Sequence, residues 1–274
     1  METKTRLDIG TARIVHLNWT LALESMVSNP QNLTEIQSHM DCELGQWIYT
    51  KGLRDYGDFD ATRLLMRTHQ HFHEVAHEMM EARLNDKESL SQKLGDIRTL
   101  SRDIVYFLTE LELDILERKH QQKILAHPFQ SLINRLFGGP YHALPDDRGP
   151  LNVSYARLVH LNWTRSLTKA FRGWGQDAHL ESAEDCALGD WLHTTAESLS
   201  NKHVEIAQLK AVHKKFHIQA EETILFLQRR RENLSQASYT KTLELSRVII
   251  YLLSMIELIL LDSGMVVRED SIYE

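Results

Sequence analysis

The sequence Arg67-Thr68-His69-Gln70-His71-Phe72-His73 contains three histidines within five residues. Residues 61–84 around it carry apolar side chains at helical intervals and contain neither proline nor glycine, which predicts an α-helix. His69 and His73 are four residues apart and share one face of that helix, whereas His71 points elsewhere. Two imidazoles placed in this way can bind one cation, although an isolated pair of this kind is more often two solvated histidines.

The same pattern recurs 144 residues downstream as Val212-His213-Lys214-Lys215-Phe216-His217, with Lys215 in place of His71. The same offset relates two further pairs of candidate ligands. His16 corresponds to His160, and Cys42 corresponds to Cys186. The chain is therefore an internal duplication. Beyond the histidine pair the offset becomes 145, as from Ser101-Arg102 to Ser246-Arg247.

Each copy repeats one cysteine and three histidines, a complete ligand set for tetrahedral zinc at about 2.3 Å from sulfur and 2.0–2.1 Å from nitrogen. Duplication copies core residues too, and a single buried cysteine or a histidine beside an apolar face usually only packs. His16 is assigned as a ligand because the cysteine and the histidine pair need a fourth donor. His77 continues the same face, but its counterpart is Glu221, so we expect it outside the site. The predicted ligands are His16, Cys42, His69 and His73 for one ion and His160, Cys186, His213 and His217 for a second.

Composition favours a helical protein without a nucleic-acid surface. The 274 residues are 42% hydrophobic with only 12 Gly and 5 Pro, and 31 basic residues are interspersed among 38 acidic ones for a net charge of −7. Two cysteines at equivalent positions do not resemble a disulfide framework and favour a reducing compartment. Residues 1–9 resemble neither a signal nor a transit peptide, so we expect a cytoplasmic protein.

The apolar periodicity predicts four helices in each half, and hence an all-α fold of two tandem domains that resemble four-helix bundles. We expect the first domain at 1–125, a linker rich in proline and glycine at 126–152, and the second domain at 153–274. Asp41 is the expected N-cap of a short helix that ends at Gly52, with Cys42 in its first turn, where free amides favour a thiolate. The other predicted helices cover 11–27, 61–84, 86–119, 154–171, 186–195, the segment around His213 and His217, and a final helix from Tyr239.

Two apolar segments need a separate explanation. Residues 129–137 predict a short helix within the linker, which either packs internally or docks a partner. Residues 248–261 are apolar on nearly all sides, but they are too short for a membrane span and contain Glu257. We expect them to be buried, between the two halves of the chain.

His16 and Trp19, the segment Cys42-Glu43-Leu44-Gly45-Gln46-Trp47, Gly52, and His69 to His73 together resemble the chemoreceptor zinc-binding (CZB) domain. The resemblance extends over nearly all of both halves. It implies one zinc ion in each helical bundle, held by the four residues assigned above to that repeat. It also implies a bacterial cytoplasmic regulatory module, usually attached to chemoreceptors or diguanylate cyclases, that senses zinc or oxidants such as hypochlorite through its cysteine. The sequence contains no recognisable cyclase signature and no long heptad hairpin of a receptor.

Three functions are consistent with the residues: a sensor, a zinc hydrolase and a purely structural or buffering zinc protein. A hydrolase would keep an open position on its zinc, whereas this set fills all four. Glu43 and Glu74 are not repeated in the second copy, so we interpret them as surface residues. The family resemblance favours the sensor. It also predicts that the two halves form a pseudo-dimer within one chain, with Ile104, Leu108, Leu111, Ile249, Leu253 and Ile256 near the contact; a homodimer between chains is the alternative.

Overall fold

A computed structural model describes residues 8–28, 36–85, 87–126, 153–173, 181–194, 196 and 203–263, without the side chains of 83–87 and 122–126. These ranges contain helices and turns and no β-strand, which confirms the predicted all-α fold. The predicted linker, apart from residue 126, and its short helix at 129–137 lie outside the described residues.

The helices follow the predicted order in both repeats. In the first repeat they are α1 (Ile9–Ser28), α2 (Glu43–Trp47), a π-helical turn (Ile48–Gly52), α3 (Leu53–Tyr56), α4 (Asp60–Asn85) and α5 (Lys87–Ala126). In the second repeat they are α6 (Val153–Phe171), α7 (Ala187–Thr194), α8 (Val204–Gln228) and α9 (Glu232–Asp262). Helix α5 is the longest, with 40 residues.

The chain forms two compact units, Met1–Leu111 and Glu112–Glu274. The division falls inside α5, so the last part of this helix belongs to the second unit. The sequence repeats and the compact units therefore have different boundaries, since the first repeat extends past residue 111.

Helices α1, α4 and α5 each supply buried apolar side chains to the first unit. A ring contact of 4.9 Å between His16 and Phe72 joins α1 to α4, and Arg98 donates a hydrogen bond of 2.7 Å to Glu24, which joins α5 to α1. Burial of each large apolar side chain contributes about 1.5–3 kcal/mol, which is enough to hold helices of this length together. The fully buried residues include Leu17, Leu65, Phe72, Met79, Ile97, Ile104 and Leu108.

In the second unit, α6, α8 and α9 pack together, with α7 against α6. The apolar segment at 248–261 is mostly buried, as expected. Its side chains join a core with those of α8, whose members include Leu209, Phe216, Ile249, Leu253 and Ile256.

The short helix of the first repeat does not end at Gly52 as predicted. An additional residue in the turn makes it π-helical, and the helix continues to Tyr56. A Cβ atom on Gly52 would lie 3.3 Å from the Trp47 ring, so glycine leaves room for the indole. In the second repeat, the Ala196 amide donates to the Trp191 carbonyl at 3.0 Å, so alanine is compatible with the equivalent turn.

Helix α9 begins at Glu232, seven residues before the predicted start at Tyr239. Its first two turns face α8 with small polar residues, which carry no apolar periodicity. Ser238 accepts a hydrogen bond of 2.6 Å from Gln219 and another of 3.0 Å from Thr223. The sequence pattern therefore missed this part of the helix.

None of the helices in the described ranges is long and apolar enough to cross a membrane.

Candidate metal centres

Three of the four residues predicted to bind the first ion meet between α2 and α4. Cys42 caps the N-terminus of α2, and His69 and His73 lie one turn apart on α4. Their donor atoms lie within 4.8 Å of one another, and all three residues are buried. The Cys42 sulfur is 3.3 Å from Nε2 of His69. His69 and His73 on α4 therefore face Cys42 at the start of α2.

The second repeat places Cys186, His213 and His217 in the same arrangement. The Cys186 sulfur lies 3.3 Å from Nε2 of His213 and 3.4 Å from Nε2 of His217, and the two imidazole nitrogens are 3.1 Å apart. All three donors of this triad thus point to one location.

These separations match those of donors around a tetrahedral zinc ion. Bond lengths of about 2.0–2.1 Å to nitrogen and 2.3 Å to sulfur place two nitrogens about 3.3 Å apart and nitrogen and sulfur about 3.6 Å apart. A soft thiolate and neutral imidazoles are also donors that bind zinc in preference to magnesium or calcium. The residues present therefore fit the ion in both chemistry and spacing.

The predicted fourth ligand, His16, lies beside the first triad but is not among the three clustered donors. Its Nε2 is 3.1 Å from the Ser101 hydroxyl, which in turn is 3.0 Å from the Thr20 hydroxyl. The second repeat reproduces this arrangement, with Nε2 of His160 3.1 Å from the hydroxyl of Ser246. An imidazole whose Nε2 is held by a hydroxyl keeps Nδ1 for a metal, the usual division between metal and supporting contact.

Cys42 occupies a different position at the start of its helix from the predicted one, and neither cysteine has the predicted preference for a thiolate. Cys42, not Asp41, is the N-cap of α2, and its sulfur accepts a hydrogen bond of 3.3 Å from the Gly45 amide. The predicted preference for a thiolate does not hold without metal, because burial raises the pKa of the Cys42 thiol more than the amides of Gly45 and Leu44 lower it. Burial raises the pKa of Cys186 in the same way.

Gly45 packs closely against the turn that precedes α2. A Cβ on Gly45 would lie 1.9 Å from the carbonyl oxygen of His39, and one on Gly189 would lie 2.0 Å from that of Ala183. Because no side chain fits there, glycine is required for the turn that directs the cysteine sulfur at the histidines.

The site histidines are neutral in the folded protein. Burial, with a smaller contribution from His73, lowers the pKa of His16 to about 3. Burial also lowers the pKa of His73 to about 4 and, with help from His217 and His193, that of His213 to about 3. Only a neutral imidazole offers a lone pair to a metal, so burial prepares these residues as ligands.

The outer contacts of the imidazoles also favour a metal. Nδ1 of His73 is 2.9 Å from the carbonyl oxygen of Gln37, which fixes the tautomer that leaves Nε2 free as a donor. Indole rings cover the same histidines, since Trp19 lies 4.9 Å from His73 and Trp163 lies 5.0 Å from His217. The contacts of Ser101 and Ser246 with the histidines were not predicted, although the recurrence of these serines at an offset of 145 indicated a shared role.

The remaining candidates lie outside the triads. His71 is exposed and pairs with Glu74 at 3.2 Å, as the helical spacing predicts. His77 and Glu43 are also exposed. The structure thus brings three predicted ligands together in each repeat and places the fourth beside them.

A sequence model of the family described as the chemoreceptor zinc-binding domain matches residues 16–80 and 160–224. Each match begins at the predicted fourth histidine and includes all four predicted ligands of its repeat. No curated protein and no solved structure matches the chain.

Proposed function

From a chain that carries two chemoreceptor zinc-binding domains in tandem, we propose a regulatory protein that binds two zinc ions and responds to zinc or to oxidants through its two cysteines. The observation that carries this proposal is the pair of matching Cys-His-His clusters. His16 and His160 would complete the two sites through Nδ1.

A closed ligand set argues against catalysis. One cysteine and three histidines fill the four positions of a tetrahedral ion and leave none for water or substrate. The acidic residues nearest to the ligands in sequence also do not suit a general base, since Glu74 is exposed and is bonded to Gln70 and His71. CZB is a signalling domain and not a catalytic family, so we propose that the chain is not an enzyme.

The cysteine is the residue through which an oxidant would act. Hypochlorous acid would transfer its oxygen to the cysteine thiolate and release chloride, so sulfur would lose the two electrons that chlorine gains. The product, sulfenic acid, is a weaker ligand than thiolate. Cys42 and Cys186 are 7% and 5% exposed, so a small part of each residue is accessible to an oxidant.

The alternative is a structural or zinc-buffering protein with no sensing role. Closed four-ligand sites are common in structural zinc proteins, and the buried triads suit that role as well. The two functions differ in one property: a structural site keeps its zinc when oxidant is present, whereas a sensor releases it.

Signalling would require a partner, because the family's usual output is on a separate domain or protein. We propose contact with a bacterial signalling protein such as a diguanylate cyclase or a chemoreceptor. Both cysteines are free, and a zinc–thiolate centre suits the reducing cytoplasm, where we place the protein.

Zinc release under hypochlorite tests the proposal. Protein loaded with zinc is titrated with hypochlorite beside a chromogenic zinc chelator, while mass spectrometry follows the oxidation of each cysteine. We expect zinc to appear in proportion to oxidised Cys42 and Cys186. The matched controls are the Cys42→Ser and Cys186→Ser variants, each of which should release only the zinc of the intact site. Full oxidation of both cysteines without zinc release would support the structural alternative.

A further inference from the structure

The end of α5 holds α6 through ion pairs that the duplication does not repeat. Arg165 on α6 lies 2.7 Å from Asp114 and 3.4 Å from Glu117, both on α5. Arg165 and Asp114 are only 18% and 22% exposed, so water screens this pair incompletely. All three residues lie in the second compact unit, although α5 belongs to the first sequence repeat.

A second charged group, which joins α5 and α6 to α9, provides a comparison. Arg157 is fully buried, 2.6 Å from Glu257 and 3.5 Å from Glu112. Its counterpart at the offset of 144 is Arg13, and Glu112 corresponds to Glu257 at the offset of 145. This arginine and these glutamates therefore recur in both repeats and cannot distinguish one repeat from the other.

The contact of Arg165 with Asp114 has no such symmetry, although Glu117 corresponds to another acidic residue, Asp262. At the same offsets, Arg165 corresponds to Leu21 and Asp114 corresponds to Ile259. If the first repeats of two chains paired through these helices, Asp114 would lie against Leu21. If the second repeats of two chains paired, Arg165 would lie against Ile259. The first alternative leaves the partly buried Asp114 carboxylate beside an apolar side chain. The second replaces the closer of the two acidic partners of Arg165 by an apolar side chain and keeps an acidic residue, Asp262, only at the position of Glu117. Both are unfavourable, the first more so.

We propose that the contact of Arg165 with Asp114 selects the partner of each repeat. The last part of α5 recognises α6 of the second repeat and rejects α1 of a first repeat in another chain. Arg157 with Glu112 and Glu257 stabilises the contact between helices in either pairing, and the pair of Arg165 with Asp114 determines which helices pair. The inference goes beyond zinc sensing and does not depend on it.

Charge reversal in the intact chain tests this pairing. Arg165→Asp and Asp114→Arg each place like charges together, and we expect each to lower the unfolding temperature by about 4–8 °C. The double variant restores opposite charges and should return to within about 2 °C of the wild type. If a single variant does not fold, the double variant decides: a folded double variant supports the contact, and an unfolded one overturns it.

Mixing the two single variants tests the selection itself. Neither variant can form the opposite-charge contact between positions 114 and 165 within its own chain, but each complements the other at these two positions. We expect the two chains, refolded together, to exchange segments into a dimer of twice the 31.8 kDa chain mass, measured by light scattering. The control is the Arg165→Asp variant refolded with wild type, which should form no such dimer. Wild-type stability in the single variants, or a mixture without dimer, would overturn the proposal.

Discussion

The two candidate metal centres present the same donor residues but have different surroundings. Residues that contact the ligands recur in both repeats, whereas exposed residues near them do not: Glu74 becomes Ile218, and His71 becomes Lys215. The recurring supports are Thr20 and Thr164, Gly45 and Gly189, Phe72 and Phe216, and Ser101 and Ser246. The comparison indicates that ligand geometry depends on the buried supports and not on the surrounding charges.

Removal of a cysteine should break the equivalence of the two sites most strongly. Cys42→Ala removes the only thiolate of the first site, and we expect one zinc per chain in place of two. Cys186→Ala should lose the other ion, and the double variant should bind none. Zinc measured by mass spectrometry after gel filtration checks this. Retention of both ions by Cys42→Ala would show that the first triad is not a zinc site.

Substitution of His16 tests the fourth ligand. Loss of a ligand should weaken binding by more than the roughly 10–100-fold that loss of an outer contact costs. We therefore expect His16→Ala to weaken the first site and His160→Ala the second, each by more than about a hundredfold in competition with a chelator. His77→Ala is the control and should bind as the wild type does. If His16→Ala also binds normally, His16 is a packing residue held by Ser101.

Gly45→Ala should disturb the first site through its backbone. The added methyl group would meet the carbonyl of His39, so the turn that directs Cys42 must shift, at a cost of about 1–3 kcal/mol. Gly52→Ala is the matched control, because the second repeat already has alanine at that position. Urea unfolding of the zinc-loaded protein measures both, and equal stability of the two variants would contradict this role of Gly45.

Removal of a serine hydroxyl should have a smaller effect. Ser101→Ala takes away the group bonded to Nε2 of His16, and Ser246→Ala does the same for His160. We expect each to weaken zinc binding at its own site by roughly 10–100-fold. A chelator competition assay on each variant, with the other site as an internal reference, measures this. Equal weakening of both sites would contradict a local role.

Exchange of exposed residues between the sites should have the smallest effect. Glu74→Ile and Ile218→Glu give each site the exposed residue of the other, and we expect zinc affinity to change by less than about threefold because both side chains are exposed. A larger change would show that surface charge, and not the buried supports, tunes the sites.

Much of this fold and of its two Cys-His-His clusters could be predicted from the sequence because duplication doubles every signal. The spacing of His69 and His73 gave their helix face, and their recurrence linked them to Cys42. The start of α9 was missed because Ser235 and Ser238 are buried through hydrogen bonds and not through apolar packing. The cap was assigned to Asp41 because aspartate is a commoner N-cap than cysteine.

The charge state of the cysteine could not be predicted from the sequence. A position at a helix start favours a thiolate, but burial opposes it, and burial depends on side chains distant in sequence. Likewise, the role of Ser101 depends on its contact with His16, 85 residues away along the chain.

Zinc content of the intact protein tests the central claim most directly. Protein purified without chelator, with its concentration fixed by amino-acid analysis, is measured by inductively coupled plasma mass spectrometry. The two Cys-His-His clusters predict two zinc ions per chain. Less than one zinc per chain would contradict the account.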